Sequence, residues 1–263
     1  MKRIFLLALV VIAVHAAEPV DVLVQGAEKL EVKDVVAALE QPRKIEKGPF
    51  SFWIGKIGGH RVAVSLTGQG LLNCTTATIL GIEEFSPKLI VNQGTSGAQV
   101  PGLKVNDIIL GQRTLDYGNF ITPVRAAGQG SRPLEWTPVV QRMRAADGRW
   151  QEFPEGFSGD AAALAIALRT RNSLGRAMAG VVGSAHEVNL ELDRVQWSHR
   201  RFGMDVEEME SGHVAALAHV YGIRYVAFRV VSDAPYDGVP FHPDAAHATG
   251  LFTVAFLHEL PPL

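Results

Sequence analysis

Three glutamates are the residues of this chain most able to do acid–base chemistry. Glu207, Glu208 and Glu210 lie together where the sequence predicts the start of a helix. A helix N-terminus attracts anions, but that attraction accounts for one acidic residue better than for three. Carboxyl groups whose pKa values are driven apart by different environments can serve as a general acid and a general base. Glu207 and Glu208 are expected to be solvated or to cap backbone groups, and they are not expected to act as catalysts.

A strand predicted over residues 225–231 leads to a second polar group, the pair Ser232 and Asp233. The strand is apolar except for Arg229, which predicts that both of its faces are buried. A buried arginine needs a charged or hydrogen-bonding partner. Since α/β folds hold their ligands beyond the carboxyl ends of strands, Asp233 stands at a position typical of a functional site.

The remaining elements must form the sheet that positions these groups. Strand, turn and helix patterns alternate along the chain, which predicts an α/β sheet covered on both faces. A hairpin turning at Gly58–Gly59 is predicted from the strands at 50–57 and 61–66. Further short strands are predicted at 22–24, 88–92 and 179–184. Helices are predicted at 30–39, 72–85, 159–173 and 245–260.

Residues 125–159 differ in composition from the rest of the chain. The segment is rich in glycine and proline around two tryptophans, Trp136 and Trp150. We interpret it as a long insertion in a single domain spanning residues 17–263, with some helix near 139–144. Long structured loops are often lids over functional sites, although surface decoration is an equal alternative here.

Composition and the N-terminus narrow the function classes. The formal net charge of −2 gives no support for nucleic-acid binding. Lys2 and Arg3 precede an apolar run over 4–14 that is too short to span a bilayer, which predicts a signal peptide over residues 1–16. The mature chain is then expected in the periplasm or secreted, free of the membrane; a short anchor is the alternative. Cys74 is the single cysteine, so neither an intramolecular disulfide nor a cysteine metal cluster is expected.

Five segments in register carry a resemblance to a known family. The stretch from Val206 to Asp233 resembles the signature "V-E-M-E … R-x-(I/V)-S-D" of the nucleoside phosphorylase and nucleosidase superfamily. Segments 25–32, 66–70, 89–97 and 103–108 resemble the motifs "I-G-A-M-x-x-E-V", "S-G-x-G", "I-I-N-x-G-(S/T)-(A/S)-G" and "L-x-(V/I)-G-D-I". The branch most similar is that of the 5′-methylthioadenosine/S-adenosylhomocysteine nucleosidases. The resemblance implies a three-layer αβα fold with a central mixed, twisted sheet.

The resemblance also implies roles for four residues in hydrolysis of a nucleoside. Asp233 matches the aspartate that donates a proton toward the purine ring, and Glu31 matches the glutamate that activates the attacking water. Glu210 matches the residue that accepts hydrogen bonds from the ribose hydroxyls, which strengthen as the sugar gains positive charge. Met209 matches the residue that packs against the ribose.

Other positions are implied as supports or as lining of the same pocket. Gly68 and Gly70 would let the backbone approach the sugar or water closely. Ser96 and Gly97 are expected on a turn after a strand at 89–92, and Ser232 is expected beside the substrate. Arg229, or a serine or threonine hydroxyl, is expected to hold Glu31 ionised. No cofactor and no metal are implied, and a homodimer is expected on resemblance alone.

Two segments depart from the branch pattern. The branch has "G-(D/S)-x-F-(I/V)", whose aromatic ring stacks on adenine, whereas residues 183–189 read G-S-A-H-E-V-N. His186 could stack on a base instead, and Glu187 brings a carboxylate to the base pocket, which could favour a base that presents hydrogen-bond donors. The loop 234–242 is expected to shape the pocket differently.

Phosphorolysis and simple binding remain as alternative functions. The first turn, 25–29, lacks the "G-D-P-x-R" run of hexameric phosphorylases, but Lys29 and Arg113 could still hold a phosphate. Glu31 stands where a water-activating base is expected, which favours hydrolysis. A storage or nucleoside-binding role is the third alternative; such a protein has no need to retain Glu31, Glu210 and Asp233 together.

Overall fold

The computed structural model describes residues 19–144 and 147–263. The predicted signal peptide, residues 1–16, lies outside the described residues. The helices are α1 (Lys29–Ala37), α2 (Leu71–Phe85), α3 (Ala161–Ala167), α4 (Leu192–Phe202), α5 (Ser211–Tyr221) and α6 (Ala246–Glu259). In this part of the chain no helix combines the length and the apolar character needed to cross a bilayer.

The strands form one large mixed sheet and two small hairpins. They are β1 (Val22–Gly26), β2 (Glu40–Lys47), β3 (Phe50–Ile57), β4 (His60–Leu66), β5 (Leu89–Ala98), β6 (Ile108–Asp116), β7 (Phe120–Ile121), β8 (Thr137–Pro138), β9 (Gln141–Arg144), β10 (Trp150–Phe153), β11 (Phe157–Ser158), β12 (Ala177–Ser184), β13 (Val206–Glu208) and β14 (Arg224–Asp233). The sheet runs in the order β11-β6-β12-β13-β5-β1-β4-β3-β2, and β14 pairs with both β5 and β6.

The double pairing of β14 closes part of the sheet on itself. β14 runs parallel to β5 and antiparallel to β6. β6 is followed by β12, and β13 then returns to β5. The strands β5, β14, β6, β12 and β13 therefore form a closed circuit of pairing at one end of the sheet.

Alternate residues of the central strands pack against helices on opposite faces. Val22 and Val24 of β1 belong to a core that includes residues of α1, α3 and α6. Leu23, between them, belongs to the other core, which includes residues of α2 and α5. Since side chains of a strand alternate between the faces of a sheet, this arrangement is that of a sheet between two helical layers. The predicted αβα fold with a mixed sheet is confirmed.

Several predicted elements are confirmed, and three need correction. The hairpin of β3 and β4 and the helices α1, α2 and α6 lie where the sequence predicted them. The helix predicted at 139–144 is wrong, because residues 141–144 form β9, whose backbone pairs with β10. The helix predicted at 159–173 is shorter, α3, and begins at the capping side chain of Asp160.

The third correction concerns β5, which was expected to end at Asn92. It continues to Ala98 because β14 supplies a parallel partner along residues 93–97. Ser96 and Gly97 therefore lie within a strand and not on a turn. Gly97 pairs with Asp233 of β14 on one side and with Glu207 of β13 on the other, and Ser96 pairs with Val231 of β14, which fixes the floor of the site described below.

Candidate active site

A cavity of about 500 Å³ lies at the carboxyl ends of the parallel strands β1, β5 and β14. Its walls come from the start of α1, the end of β5, the segment from β13 to α5, and the loop after β14. This is the place where α/β sheets hold ligands. The cavity size is in the range of small-molecule sites.

Glu31 is held at one side of the cavity by donors on both of its carboxyl oxygens. Oε2 accepts hydrogen bonds from the backbone N–H groups of Ala27 at 2.7 Å and Glu28 at 3.0 Å. Oε1 accepts from the Thr95 N–H at 2.8 Å and from the Thr95 hydroxyl at 3.0 Å. The expectation that a threonine hydroxyl contacts Glu31 is confirmed. The side chain is buried, lines the cavity and is fixed in direction.

Asp233 lies across the cavity in a different environment. Burial raises the pKa of its carboxyl group, while the Ser232 hydroxyl, which donates to Oδ1 at 2.8 Å, acts in the opposite direction. Gly97 leaves room for it, because a Cβ at that position would lie 2.9 Å from Asp233 Oδ2. A carboxyl group that retains its proton to higher pH is suited to act as a general acid.

Arg229 and two glutamates form a buried ionic group beneath the cavity. The guanidinium lies 2.7 Å from Glu208 Oε2 and 3.4 Å from Glu210 Oε2, and it donates to the Asn92 side-chain oxygen and the Ser211 hydroxyl. Burial, together with the nearby charge of Glu208, raises the pKa of Glu210. The partner that Arg229 needs is therefore this pair of carboxylates. Arg229 was also expected to hold Glu31, but among the described residues no direct hydrogen bond joins the two.

The acidic segment does not start a helix in the way the sequence predicted. Residues 206–208 form β13, and α5 begins only at Ser211. Glu208 accepts hydrogen bonds from the backbone N–H groups of Glu210 and Ser211, so its predicted capping role is confirmed. Neither Glu207 nor Glu208 is solvated, since their exposed fractions are 5% and 6%.

Glu207 belongs to a second polar group, which sequence reasoning missed. Its Oε2 accepts from the Tyr117 hydroxyl at 2.7 Å and from Asn189 Nδ2 at 2.6 Å, and its Oε1 accepts from the Asn189 N–H at 2.7 Å. Glu187 Oε1 accepts from Asn189 Nδ2 at 3.3 Å and from Arg194 Nη2 at 3.0 Å. We call these five residues the carboxylate corner; both of its glutamates line the cavity.

The carboxylate corner gives the protein a pH-dependent stability. Burial raises the pKa of Glu207 from 4.5 to about 7. The native state therefore binds more protons than the unfolded chain in this window, so the free energy of unfolding falls as pH rises from about 4.5 to 7. Glu207 contributes on the order of 3 kcal/mol to the free energy of unfolding below pH 4.5, and this contribution is lost above about pH 7.

We expect Glu207→Gln to remove this contribution, because glutamine does not titrate. Urea unfolding at pH 5 and pH 7.5 should show a smaller loss of unfolding free energy in the variant than in the wild type. Part of the dependence of the unfolding free energy on pH should persist in the variant, since Glu210 also has a raised pKa. Glu191→Gln, at an exposed position outside the cavity, serves as the matched control and should keep the wild-type slope. Equal slopes in wild type and Glu207→Gln would contradict the account.

Most of the side chains predicted for the site do meet in the cavity. From the start of α1 and the end of β5 come Glu31, Ser96 and Gly97. From the segments around β13 and β14 come Glu187, Met209, Glu210, Ser232 and Asp233. These residues are far apart in sequence, so their convergence is a property of the fold.

Three of the predicted residues act from outside the cavity wall. Arg229 supports the site through Glu208 and Glu210. Gly70 donates its backbone N–H to Glu210 Oε1 at 2.8 Å, with a φ of +87° that favours glycine. His186 packs on Gly70 and lines a neighbouring cavity of about 150 Å³ with His213, so it is not in position to stack on a ligand in the main cavity.

The loop after β14, which was expected to shape the pocket, supplies an apolar wall of the cavity. Pro235, Val239, Pro240 and Phe241 line the cavity there, and Phe241 remains 59% exposed. Among the described residues, no three side chains of histidine, cysteine, aspartate or glutamate are grouped so that they could hold a metal ion.

Comparisons with known proteins agree with this arrangement. A family model described as "Phosphorylase superfamily" matches residues 21–251. The chain belongs to the phosphorylase superfamily. Within this superfamily, the 5′-methylthioadenosine/S-adenosylhomocysteine nucleosidase of Shewanella halifaxensis (strain HAW-EB4) is 26% identical over 243 residues, which make up 89% of this chain and 97% of the relative.

Solved structures share the fold of this phosphorylase-superfamily chain. One is the 5′-methylthioadenosine/S-adenosylhomocysteine nucleosidase from Neisseria meningitidis in complex with methylthio-immucillin-A, with a TM-score of 0.72 and 23% identity over 91% of this chain and 99% of that one. Another is the corresponding nucleosidase from Colwellia psychrerythraea 34H in complex with adenine, with a TM-score of 0.71 and 19% identity over 92% and 96% of the two chains.

Proposed function

We propose that the protein hydrolyses the N-glycosidic bond of a purine nucleoside or 5′-thionucleoside and releases the free base and the sugar. The observation that carries the proposal is the pairing of Glu31 and Asp233 across one cavity. Glu31 is surrounded by donors, whereas burial raises the pKa of Asp233. Two carboxyl groups in such different environments are suited to opposite roles, one accepting and one donating a proton.

The reaction follows from these two roles. Glu31 accepts a proton from a water molecule, whose oxygen forms the new bond to the anomeric carbon. The bond between that carbon and the base nitrogen breaks, and its electron pair goes to the base. Asp233 gives its proton to the purine ring, so the base leaves as a neutral molecule. General acid and general base steps of this kind each contribute about 10²–10⁴-fold in rate.

Glu210 and Met209 hold the sugar between these two groups. Glu210 is fixed from behind by the Gly70 N–H and by Arg229, and it lines the cavity. A carboxyl oxygen has acceptor capacity beyond one hydrogen bond, so Glu210 can also accept from ribose hydroxyls. These bonds strengthen as the sugar becomes cationic and therefore stabilise the transition state. The Met209 thioether supplies a polarizable apolar surface beside it.

Water is favoured over phosphate as the nucleophile. No lysine or arginine is among the described residues that line the cavity, although phosphate sites rely on such cations. Lys29 is exposed at the start of α1 and does not line the cavity. Arg113 lines a different cavity and is paired with Glu155 at 2.6 Å. Relatives that match 89% and 79% of this chain are named nucleosidases, in agreement with hydrolysis.

The proposal is tested by base release from a panel of nucleosides, with and without phosphate. The panel contains adenosine, inosine, guanosine, methylthioadenosine and S-adenosylhomocysteine. Release that does not depend on phosphate is expected for at least one member. Release only with phosphate would instead establish a phosphorylase. Binding without any release would favour the storage or nucleoside-binding alternative.

A homodimer is proposed as the assembled form. Val188, Leu190 and Phe241 line the cavity yet are 63%, 70% and 59% exposed. Large apolar side chains grouped at the mouth of a site are typical of a surface that another chain covers, and a second copy is the occupant that the family resemblance implies. Light scattering after size-exclusion chromatography should give twice the chain mass for wild type and one chain mass for Leu190→Lys. A monomeric wild type would contradict the dimer.

Export is proposed on the N-terminal sequence alone. Residues 1–16 have the charged start, the short apolar run and the small residues of a signal peptide. Expression of the full chain in a bacterium, followed by fractionation and N-terminal sequencing, should give a periplasmic or secreted protein that begins near Ala17. An uncleaved protein in the membrane fraction would indicate an anchor instead.

A further inference from the structure

The carboxylate corner presents hydrogen-bond acceptors to the cavity. The Tyr117 hydroxyl and the Asn189 N–H are directed to Glu207. Arg194 Nη1 is buried without a hydrogen-bond partner among the described residues, and Arg194 does not line the cavity. Asn189 Nδ2 lies within hydrogen-bonding distance of both glutamates, and Arg194 Nη2 donates to Glu187. The groups left for a ligand are therefore carboxylate oxygens, which accept hydrogen bonds and donate none when ionised.

Glu187 is the member of the corner best placed to accept a hydrogen bond from a ligand. Both of its contacts are made by Oε1, and Oε2 has no hydrogen-bond partner among residues 19–144 and 147–263. The side chain is 36% exposed and lines the cavity. Glu207, by contrast, has partners on both oxygens. An oxygen without a protein partner at a cavity wall is available to a ligand donor.

Arg194 fixes the position of Glu187. Its side chain is 7% exposed, and its guanidinium carbon lies 5.0 Å from the Phe120 ring centre and 4.6 Å from that of Trp197. An arginine packed against two aromatic rings has little freedom to move. The carboxylate it holds is therefore pre-organised, and a fixed acceptor discriminates between ligands better than a mobile one.

The corner and the proposed acid Asp233 flank one open space. A Cβ at Gly97 would lie 2.9 Å from Asp233 Oδ2 and 3.6 Å from Glu207 Cγ, so only a glycine leaves the floor between them free. A planar base over Gly97 would have its imidazole ring toward Asp233, which must protonate it. Its pyrimidine ring would then be directed toward the carboxylate corner.

We propose that Glu187 selects the base, and that it favours a 6-oxopurine over a 6-aminopurine. This inference rests on the proposed nucleosidase function and assigns its substrate class. A 6-oxopurine carries an N1–H donor on its pyrimidine ring, and a 2-amino group adds a second donor beside it. Adenine has an acceptor at N1, whose lone pair would face a carboxylate oxygen placed opposite it, and its donor on this ring is the neighbouring 6-amino group. An acceptor fixed opposite N1 therefore rejects a base that has no donor at that atom.

The test measures binding of free bases by isothermal titration calorimetry, so that it does not depend on turnover. Hypoxanthine and adenine are titrated into the wild-type protein, Glu187→Gln and the control Glu191→Gln. Wild type should bind hypoxanthine at least about tenfold more tightly than adenine, since a hydrogen bond to a charged group is worth a factor of about 10–100 in affinity. Glu187→Gln should lose that factor for hypoxanthine and should bind adenine no more weakly than wild type, because its amide can donate to N1. Glu191→Gln should match the wild type.

The outcomes separate this inference from the proposed function. A protein that releases bases but binds adenine as tightly as hypoxanthine refutes the inference and leaves the nucleosidase function intact. The same holds if Glu187→Gln keeps the wild-type ratio of the two dissociation constants. A protein that neither binds the bases nor releases them from nucleosides refutes the proposed function and the inference with it.

Discussion

Asp233→Asn is expected to lower kcat for a natural purine nucleoside by about 10²–10⁴-fold, which is the contribution of a positioned general acid. Asparagine has nearly the same volume as aspartate but has no carboxyl proton to give to the departing base. The Ser232 hydroxyl and the space above Gly97 remain, so the fold and the affinity for substrate should change little. Steady-state kinetics of the purified variant, with the thermal midpoint as a check of folding, measures the effect.

The role of Asp233 as an acid can be separated from a merely structural role. A nitrophenyl riboside leaves as a stable anion without protonation, so its hydrolysis should fall far less in Asp233→Asn than that of the nucleoside. Burial raises the pKa of Asp233, so kcat/KM of the wild type should decrease as pH rises through that pKa and the acid loses its proton. Asp237→Asn, exposed in the same loop, should resemble the wild type. Equal losses for both substrates would contradict the assignment.

Glu31→Gln is expected to lower kcat by a comparable factor of about 10²–10⁴, because a glutamine cannot take the proton of the attacking water. Substrate affinity should survive, since the sugar and the base are held by other residues. The new amide nitrogen would face a backbone N–H of Ala27, Glu28 or Thr95, which costs about 1–3 kcal/mol of stability. The folded fraction must therefore be verified at the assay temperature before rates are compared.

A small anion should rescue the Glu31 variant if its defect is the missing base. Azide attacks the anomeric carbon without losing a proton, so it should restore base release in Glu31→Gln and yield a glycosyl azide. It should give no such gain in Asp233→Asn, where the leaving group is the obstacle. Glu191→Gln should match the wild type in both conditions. A Glu31→Gln protein with wild-type turnover would remove Glu31 from the mechanism.

The position of Asp233 could be predicted from the sequence because its signal is local, whereas the role of Glu31 was implied by the family resemblance. Asp233 follows a strand whose one charged residue, Arg229, requires a partner, and Glu31 lies at the start of a recognisable helix. The sequence indicated that Arg229 needs a partner, yet it could not show that both Glu208 and Glu210 serve it. That sharing depends on the pairing of both β13 and β14 with β5 in the folded chain.

The carboxylate corner could not be predicted, because its members come from three separate segments. Tyr117 follows β6, Asn189 follows β12, and Glu207 lies in β13; they meet only because these strands are neighbours in the closed part of the sheet. Glu187 gave a signal, as a carboxylate next to His186, the position where the family has an aromatic residue. The length of β5 was missed for a related reason, since its extension to Ala98 depends on pairing with a distant strand.

The measurement that tests the central claim most directly is hydrolysis of a cleaved nucleoside in ¹⁸O-labelled water without phosphate, followed by mass spectrometry of the sugar. Attack by water activated at Glu31 predicts one ¹⁸O atom at the anomeric carbon for each base released, in a reaction that added phosphate does not accelerate. A sugar phosphate without the label, formed only when phosphate is present, would contradict hydrolysis and establish phosphorolysis.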